Sequence, residues 1–547
     1  MKVALAQLNY IIGDFDGNAA KMIETIERAK TEGADLVVFS ELSVTGYYPH
    51  DLLEKKEFIR KAEETVKRIA EACCGIAAIV GAPRINENDR GKTLFNSAFF
   101  LADGGVRSVH NKTLLPTYDI FDEYRHFEPN RDFNVVEYQN ERIAITICED
   151  LWDEQPTANE FGKNKLYQVS PMEELAKLNP DFVVNISASP FSYNQENWRK
   201  DVLVNKAKKF SLPIFYVNQT GAQTELIFDG GSVFIDKSGE IVKELNYFEE
   251  DYLIVDTANP GARKLQPETN HIEKIHDALV LGIRDYFLKM GFRQATLGLS
   301  GGIDSAVTLV LAERALGAEN VRVLLLPSKY SSDHSVEDAR QLAENLEIRY
   351  DVVNIQKAVD AFENELAPQF KGTASGIAEE NIQARARGIY LMAISNKFGH
   401  ILLNTTNKSE CAVGYGTLYG DMNGGLAVLG DVYKTDVFAM ARFMNKEREI
   451  IPENTIVKPP SAELRPDQKD TDSLPEYAVL DEILFSFIEQ NLSPAEIVNK
   501  GFDPEMVKKV IRMVNTNEYK RFQAAPILRV SSKAFGFGRK MPLVARY

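Results

Sequence analysis

At 547 residues the chain is too long for one ordinary hydrophobic core, so two large domains are expected. An apolar content of 44% is that of a globular protein, and a net charge of −16 argues against nucleic acid or an anionic membrane as the main partner. No uninterrupted apolar run reaches the roughly 18 residues of a membrane span, and Gln7, Asn9 and Asp14 break up the opening before a leader could form, so a soluble, cytoplasmic protein is expected.

Short apolar runs at 2 to 8 and 35 to 39 read as strands, separated by a helix that carries Ala19, Met22, Ile23, Ile26 and Ala29 on one face. Further strands are expected at 76 to 82, 94 to 101, 143 to 148 and 181 to 187, each ending near polar residues. Three such ends carry chemistry. Glu41 follows a buried strand in VFSELSVTGYYP, where burial would raise its pKa and suit it to accept a proton. Lys112 follows the strand VRSVH, and Cys148 ends IAITIC, with Glu149 and Asp150 next. A thiol, a carboxylate and an ammonium make an amide-hydrolysing set: Cys148 attacks a carbonyl, Glu41 takes the thiol proton and Lys112 stabilises the oxyanion. Cys73, Cys74 and Cys411 follow no framework spacing; the adjacent pair reads as strand-edge packing, and reduced thiols are expected.

The order Glu, Lys, Cys at strand ends resembles the nitrilase superfamily of carbon–nitrogen hydrolases over about residues 1 to 260. That resemblance implies an αββα four-layer sandwich that pairs with a second copy, hence a homo-oligomer, dimer or higher. It further implies a glutamine site with Tyr118, Ser189 and Gln195, and a supporting acid at Glu123. Gln195 stands where this branch has a basic residue, and Arg199, one helical turn on, is the candidate for the substrate carboxylate.

Residues 258 to 270 (ANPGARKLQPETN) are rich in Pro, Gly and polar side chains and mark a boundary, giving domains 1–260 and 261–547. A helix at about 271 to 290 leads into the strand of TLGLSGGIDSAVTLVLAERAL. There Gly301 and Gly302 let the backbone approach a ligand, while Ser300, Ser305 and the helix-start N–H groups donate to an anion. Asp304 among them suits a Mg-nucleotide better than a bare phosphate, and the loop lacks a Walker-type Gly-Lys-Ser/Thr ending. Strand 321 to 327, a lid-like loop 327 to 335 and a helix 334 to 346 follow. A helix at 378 to 398 is expected to turn Ile382, Ala386, Ile389, Tyr390 and Ala393 inward, and the polar segment 459 to 476 reads as a mobile loop. The strand–helix alternation predicts a doubly wound parallel sheet with the nucleotide at the strand C-termini. Glu410, past the end of HILLNTTN, would complete a Mg site with Asp304, and Lys434, opening a helix, would meet a phosphate.

SGGIDS resembles the signature of the N-type ATP pyrophosphatases, and NIQARARG, NTTNKSE, GYGTLYGD, LGDVYKTDV and EYKRFQAAP resemble the NAD synthetase family. Carried over by position, Gly298, Leu299, Ser300, Gly301, Gly302, Ile303, Asp304, Ser305, Thr405 and Lys434 would bind ATP. Asn381, Arg385, Glu410 and Lys520 would bind deamido-NAD, and Asp304 and Glu410 would hold Mg²⁺. The two halves together imply that ammonia from glutamine amidates deamido-NAD through an adenylate, with ATP as co-substrate. Two readings compete. One is the same fusion amidating another acid, as in GMP or asparagine synthesis; the other is a nucleotide-binding protein with an inert hydrolase half.

Overall fold

The computed structural model describes residues 1–154, 166–466 and 468–545, without the side chain of Gln195. The chain divides into two compact units, Met1–Glu268 and Thr269–Tyr547.

In the first unit β1 (Lys2–Gln7), α1 (Phe15–Thr31), β2 (Leu36–Val38), α2 (Lys56–Ala72), β3 (Ala77–Ile85), β4 (Leu94–Ala102) and β5 (Gly105–Asn111) come first. They are followed by β6 (Val136–Tyr138), β7 (Glu141–Ile147), α3 (Pro171–Ala176), β8 (Phe182–Ser187), α4 (Gln195–Phe210) and β9 (Ile214–Asn218). A hairpin of β10 (Thr220–Gln223) and β11 (Leu226–Asp229) leads to β12 (Val233–Ile235), β13 (Ile241–Glu244) and β14 (Asp251–Asp256). Two six-stranded mixed sheets result, in the orders β14-β1-β2-β3-β4-β5 and β13-β12-β9-β8-β7-β6.

Their facing sides share one core: Val3, Leu5, Val38, Ile79 and Phe100 of one sheet meet Ile145, Phe182, Val184, Phe215 and Val217 of the other. Strands buried on both faces read as continuous apolar runs, and LVV and FVVNIS are buried throughout. The outer faces are covered by α1 and α2, which bring Met22, Ile26, Val66 and Ile69, and by α3 and α4, which bring Met172, Leu175 and Leu203. This is the αββα sandwich.

In the second unit α5 (His271–Met290), β15 (Ala295–Gly298), α6 (Ile303–Leu316), β16 (Val321–Leu325), α7 (Asp333–Asn345), β17 (Arg349–Val352) and α8 (Gln356–Leu366) alternate. After them come α9 (Ile377–Phe398), β18 (Ile401–Asn404), α10 (Lys408–Val413), β19 (Leu426–Ala427) and α11 (Lys434–Met444). The sheet runs β17-β16-β15-β18-β19, and every pairing is parallel. The chain leaves β15 toward β16 on one side and returns to β18 on the other, so the loops after β15 and β18 diverge and leave a crevice at their C-terminal ends. Helices over 477–488, 494–499 and 504–516 pack with α10 around Leu480, Leu484, Val510 and Val514.

Two expectations are corrected. On α9, Ile389 is 57% exposed and Ala393 is also exposed, while Leu391 and Ile394 join Ile382, Ala386 and Tyr390 on the packed face. Cys73 and Cys74 lie at the C-terminal end of α2, not on a strand edge; Cys73 is buried, Cys74 exposed, and all four cysteines are free. Among the described residues no helix is long and apolar enough to cross a membrane.

Candidate active sites

Glu41, Lys112 and Cys148 follow the ends of β2, β5 and β7. A Cβ at Gly81 would lie 2.3 Å from Leu42 N, so glycine there lets the Ser40–Leu42 backbone cross β3 and turn Glu41 inward. Glu41 is fully buried and accepts hydrogen bonds from Lys112 Nζ at 2.7 Å, Asn96 Nδ2 at 2.7 Å and Ala188 N at 3.1 Å. Lys112 Nζ also donates to Glu123 Oε1 at 2.8 Å, and that same oxygen accepts Tyr47 Oη–H at 2.8 Å.

Burial alone would discharge the Lys112 ammonium, but the Glu123 and Glu41 carboxylates outweigh it and push its pKa up. Burial raises the Glu123 carboxyl, against the opposing pull of Lys112. The Cys148 thiol is pushed up as well, by burial first and then by the negative charge of Glu41, while Lys112 pulls it down. A protonated thiol beside a carboxylate is the starting state of base-assisted attack.

Cys148 opens a 3-10 turn, Cys148–Leu151, with φ of 44°, a strained left-handed backbone at the candidate nucleophile. Asp150 holds that turn. Its carboxylate accepts from Ile147 N at 3.0 Å and from Thr113 N and Leu114 N at 2.9 Å each, tying the cysteine turn to the segment after Lys112. Nothing local in the sequence announces this, because the partners lie 36 and 37 residues away.

Replacing Lys112 by Met leaves Glu41 and Glu123 buried without a counter-charge. The expected cost is about 3–5 kcal/mol, read as a lowered thermal midpoint together with loss of glutamine hydrolysis.

Of the proposed glutamine contacts, Tyr118 donates its hydroxyl to both carboxylate oxygens of Glu149 at 3.0 Å, and Tyr167 donates to Glu149 Oε1 at 2.8 Å. Ser189 is buried, with its backbone fixed on Asn218. The Gln195 side chain lies outside the described residues. Arg199 does not reach for substrate; its two terminal nitrogens pair with Asp229 at 2.9 and 2.7 Å in the interior.

Glu149, the neighbour of the cysteine, is the acid not singled out from sequence. Burial lifts its carboxyl from 4.5 to about 7. A raised acid pKa favours the folded state most below about pH 4.5, and that contribution is lost as pH rises to 7. Glu149→Gln, neutral at every pH, is therefore expected to match the parent near pH 4.5 and to exceed it by up to about 3 kcal/mol above pH 7 in denaturation midpoints.

In the second unit the loop after β15 is set against α7. Gly301 has φ of 80°, and a Cβ there would lie 2.2 Å from Ser335 O. Ser300 Oγ accepts from Gly302 N at 3.2 Å and lies 3.1 Å from Ser305 Oγ, so the turn is held by its own hydroxyls. A cavity of about 620 Å³ opens here, lined by Gly298, Leu299, Ser300, Gly302, Ile303, Asp304, Ser305, Thr405, Glu410 and Lys434. Gly301 does not line it, having turned its backbone toward α7.

Lys434 Nζ bridges Asp304 Oδ2 at 2.6 Å and Glu410 Oε1 at 3.2 Å, and Asp304 Oδ1 accepts from Asn407 Nδ2 at 2.8 Å. Burial and the neighbouring Asp304 raise the Glu410 carboxyl in spite of Lys434, so the two acids are short of positive charge. Two hard carboxylates with one cation between them fit a divalent ion such as Mg²⁺.

Asn381, Arg385 and Lys520 lie outside this cavity and converge on the loop after α10. Asn381 Oδ1 accepts from Thr417 Oγ1 at 2.7 Å, Arg385 Nε donates to Leu418 O at 3.2 Å, and Lys520 Nζ donates to Gly414 O and Gly416 O at 2.7 and 2.8 Å. Of the stretch 459–476, expected to be a mobile loop, residues 459–465 and 468–470 line the cavity. From it Glu463 accepts from Ser332 Oγ at 2.7 Å and Ser335 Oγ at 2.8 Å, clasping the segment 327–335. Arg387 and Lys458, not singled out from sequence, also line this cavity.

The chain matches the family of carbon-nitrogen hydrolases over residues 2–265 and that of NAD synthase over residues 275–524. A glutamine-dependent NAD(+) synthetase of Synechocystis sp. is 45% identical over 100% of this chain and 99% of its own. One of Acinetobacter baylyi is 42% identical over 99% and 98%. The solved glutamine-dependent NAD+ synthetase of Acinetobacter baumannii in complex with ADP aligns with TM-score 0.79 and 41% identity over 99% of this chain and 98% of that one. The enzyme of Cytophaga hutchinsonii, 21% identical over 100% and 98%, shares the fold with TM-score 0.82. With whole-length identity at this level, an amidase sandwich and a nucleotide-type parallel sheet in one polypeptide, this chain belongs to the glutamine-dependent NAD(+) synthetase family.

Proposed function

We propose that the chain converts deamido-NAD to NAD, with glutamine hydrolysed in the first unit and the nicotinate carboxyl activated by ATP in the second. The observation that carries this reading is the pair of charge sets, the buried Glu41–Lys112–Glu123 beside Cys148 and, beside the glycine loop, Asp304–Lys434–Glu410, whose lysine is buried and whose acids are partly so.

In the first unit Cys148 Sγ attacks the glutamine carboxamide carbon while Glu41 takes the thiol proton, and Lys112 faces the oxyanion. Glu41 returns the proton to the leaving nitrogen, ammonia departs, and a thioester remains. Water, deprotonated by Glu41, then releases glutamate and the thiol. Glu123 keeps Lys112 charged throughout, and Asp150 keeps the cysteine turn in place. Tyr118, Ser189 and Gln195 are assigned to substrate, with Glu149 for its ammonium.

In the second unit the nicotinate carboxylate displaces pyrophosphate from the α-phosphorus of ATP, and ammonia then displaces AMP from the acyl adenylate. Residues 298 to 305, with Thr405 and Lys434, are assigned to ATP; Asn381, Arg385, Glu410 and Lys520 are assigned to deamido-NAD. Asp304 and Glu410 would hold Mg²⁺, which supplies positive charge to the departing pyrophosphate. Lys434 then has its ammonium free to turn toward a phosphate. Because ammonium is not a nucleophile and ammonia is mostly protonated at neutral pH, nitrogen is best passed on before it meets bulk water. A cytoplasmic homo-oligomer belongs to the same proposal, and native mass measurement tests its assembly.

Pyrophosphate release tests the substrate. Deamido-NAD is expected to support it, and xanthosine monophosphate and aspartate are not. Release with either of those and not with deamido-NAD would assign the chain to another amidation.

A further inference from the structure

Apart from both charge sets, the first unit carries a third cluster of ionisable groups. Asp51 and Glu54 lie on the 3-10 turn His50–Glu54, and His126 directly follows the turn Glu123–Arg125. The His126 side chain is 7% exposed. Its Nδ1 is 2.8 Å from Tyr48 Oη, whereas its Nε2 is buried and has no protein hydrogen-bond partner. That nitrogen faces Asp51 Oδ1 at 3.6 Å and Glu54 Oε1 at 3.9 Å, both beyond hydrogen-bond reach. A buried polar atom left without a partner costs about 1–3 kcal/mol, so its persistence here asks for a ligand.

The spacing fits a metal ion. Donors bound tetrahedrally at about 2.1 Å stand roughly 3.4 Å apart, and the three donor atoms here lie within 4.8 Å of one another, with the two distances to Nε2 only a few tenths longer than that spacing. With Nε2 as ligand, Nδ1 carries the proton and donates to Tyr48 Oη, the outer hydrogen bond that fixes a ligating histidine.

Arg125 Nη2 holds Asp51 Oδ1 at 2.9 Å and stands 3.7 Å from Glu54 Oε1, so a cation already balances the acids. Its side chain is 52% exposed and can withdraw into water, which the buried histidine cannot do. One nitrogen and two carboxylate oxygens suit zinc better than magnesium or calcium, which take oxygen alone.

We propose that Asp51, Glu54 and His126 form a binding site for a divalent cation of the zinc class, entered as Arg125 swings away. The site shares its turns with the hydrolytic set: Tyr47, next to Tyr48, bonds Glu123, and Glu123 holds Lys112. It is independent of the reaction assigned above.

The test is calorimetric titration of Zn²⁺ into the full chain carrying Cys74→Ala and Cys148→Ala, which remove the exposed thiol and the candidate nucleophile, in millimolar Mg²⁺, which competes for the other acidic pair. One equivalent is expected to bind, and to be lost in His126→Gln. Asp51→Asn, at a carboxylate that faces solvent, is expected to lose it too and carries the test if the histidine variant misfolds. Arg125→Gln should bind about tenfold more tightly, because the competing cation is gone. Zinc-edge absorption should show only nitrogen and oxygen neighbours, with an imidazole. Identical titrations in the parent, His126→Gln and Asp51→Asn, or sulfur in the zinc shell, would overturn the proposal.

Discussion

Cys148→Ala is expected to lower glutamine-driven NAD formation by about 10⁴-fold or more while leaving the reaction with added ammonium salts intact. The thiol is the candidate covalent nucleophile of the first unit, and no other cysteine stands beside Glu41 and Lys112 among the described residues. Alanine keeps the small buried volume, and Asp150 still ties the turn to Ile147, Thr113 and Leu114, so the sandwich should hold. The adenylating chemistry draws on none of these residues. Steady-state NAD formation with glutamine and with ammonium chloride checks both arms. Loss of the ammonium-driven reaction as well would contradict separate chemistry in the two units.

Asp304→Ala is the complementary result: NAD formation should fall about 10³-fold with either nitrogen source, while glutamine hydrolysis survives. The substitution removes one of the two carboxylates that share Lys434, leaving Glu410, whose carboxyl burial already pushes up, as a poor cation ligand by itself. Asn407 Nδ2 loses its acceptor too, so Asp304→Asn, which keeps an oxygen there, serves as the comparison for folding. Thermal midpoints near the parent's in both variants, with activity lost in both, would assign the effect to the missing charge.

The strand-end placement of Glu41 and Cys148 was legible because each follows an apolar run that breaks on a polar residue, whereas Lys112 follows the mixed strand GVRSVHN and gained weight only in company with the other two. The glycine loop was legible for the same reason, and the order of the parallel sheet brings it beside the segment after β18. Pairings between distant residues were not. Arg199 looked available to a substrate carboxylate because its partner Asp229 lies 30 residues further on, in the β10–β11 hairpin. Asp150 looked like one more acid after a cysteine, yet it holds two segments together. The helical stripe of α9 failed at Ile389 and Ala393 because apolar character alone does not say which side of a helix a neighbour covers. Composition marked 459–476 only as a polar loop and gave no sign that Glu463 within it bonds Ser332 and Ser335 beside the cavity of the second unit.

These two variants test the units separately; the central claim is that nitrogen moves from one chemistry to the other. Glutamine labelled with ¹⁵N in its amide, supplied with ATP, deamido-NAD and an excess of unlabelled ammonium at neutral pH, tests it directly by mass spectrometry of the NAD formed. The account predicts that the carboxamide carries the label in proportion to the glutamine hydrolysed, with little dilution by the pool. NAD whose carboxamide nitrogen is unlabelled while labelled ammonia accumulates in solution would contradict it.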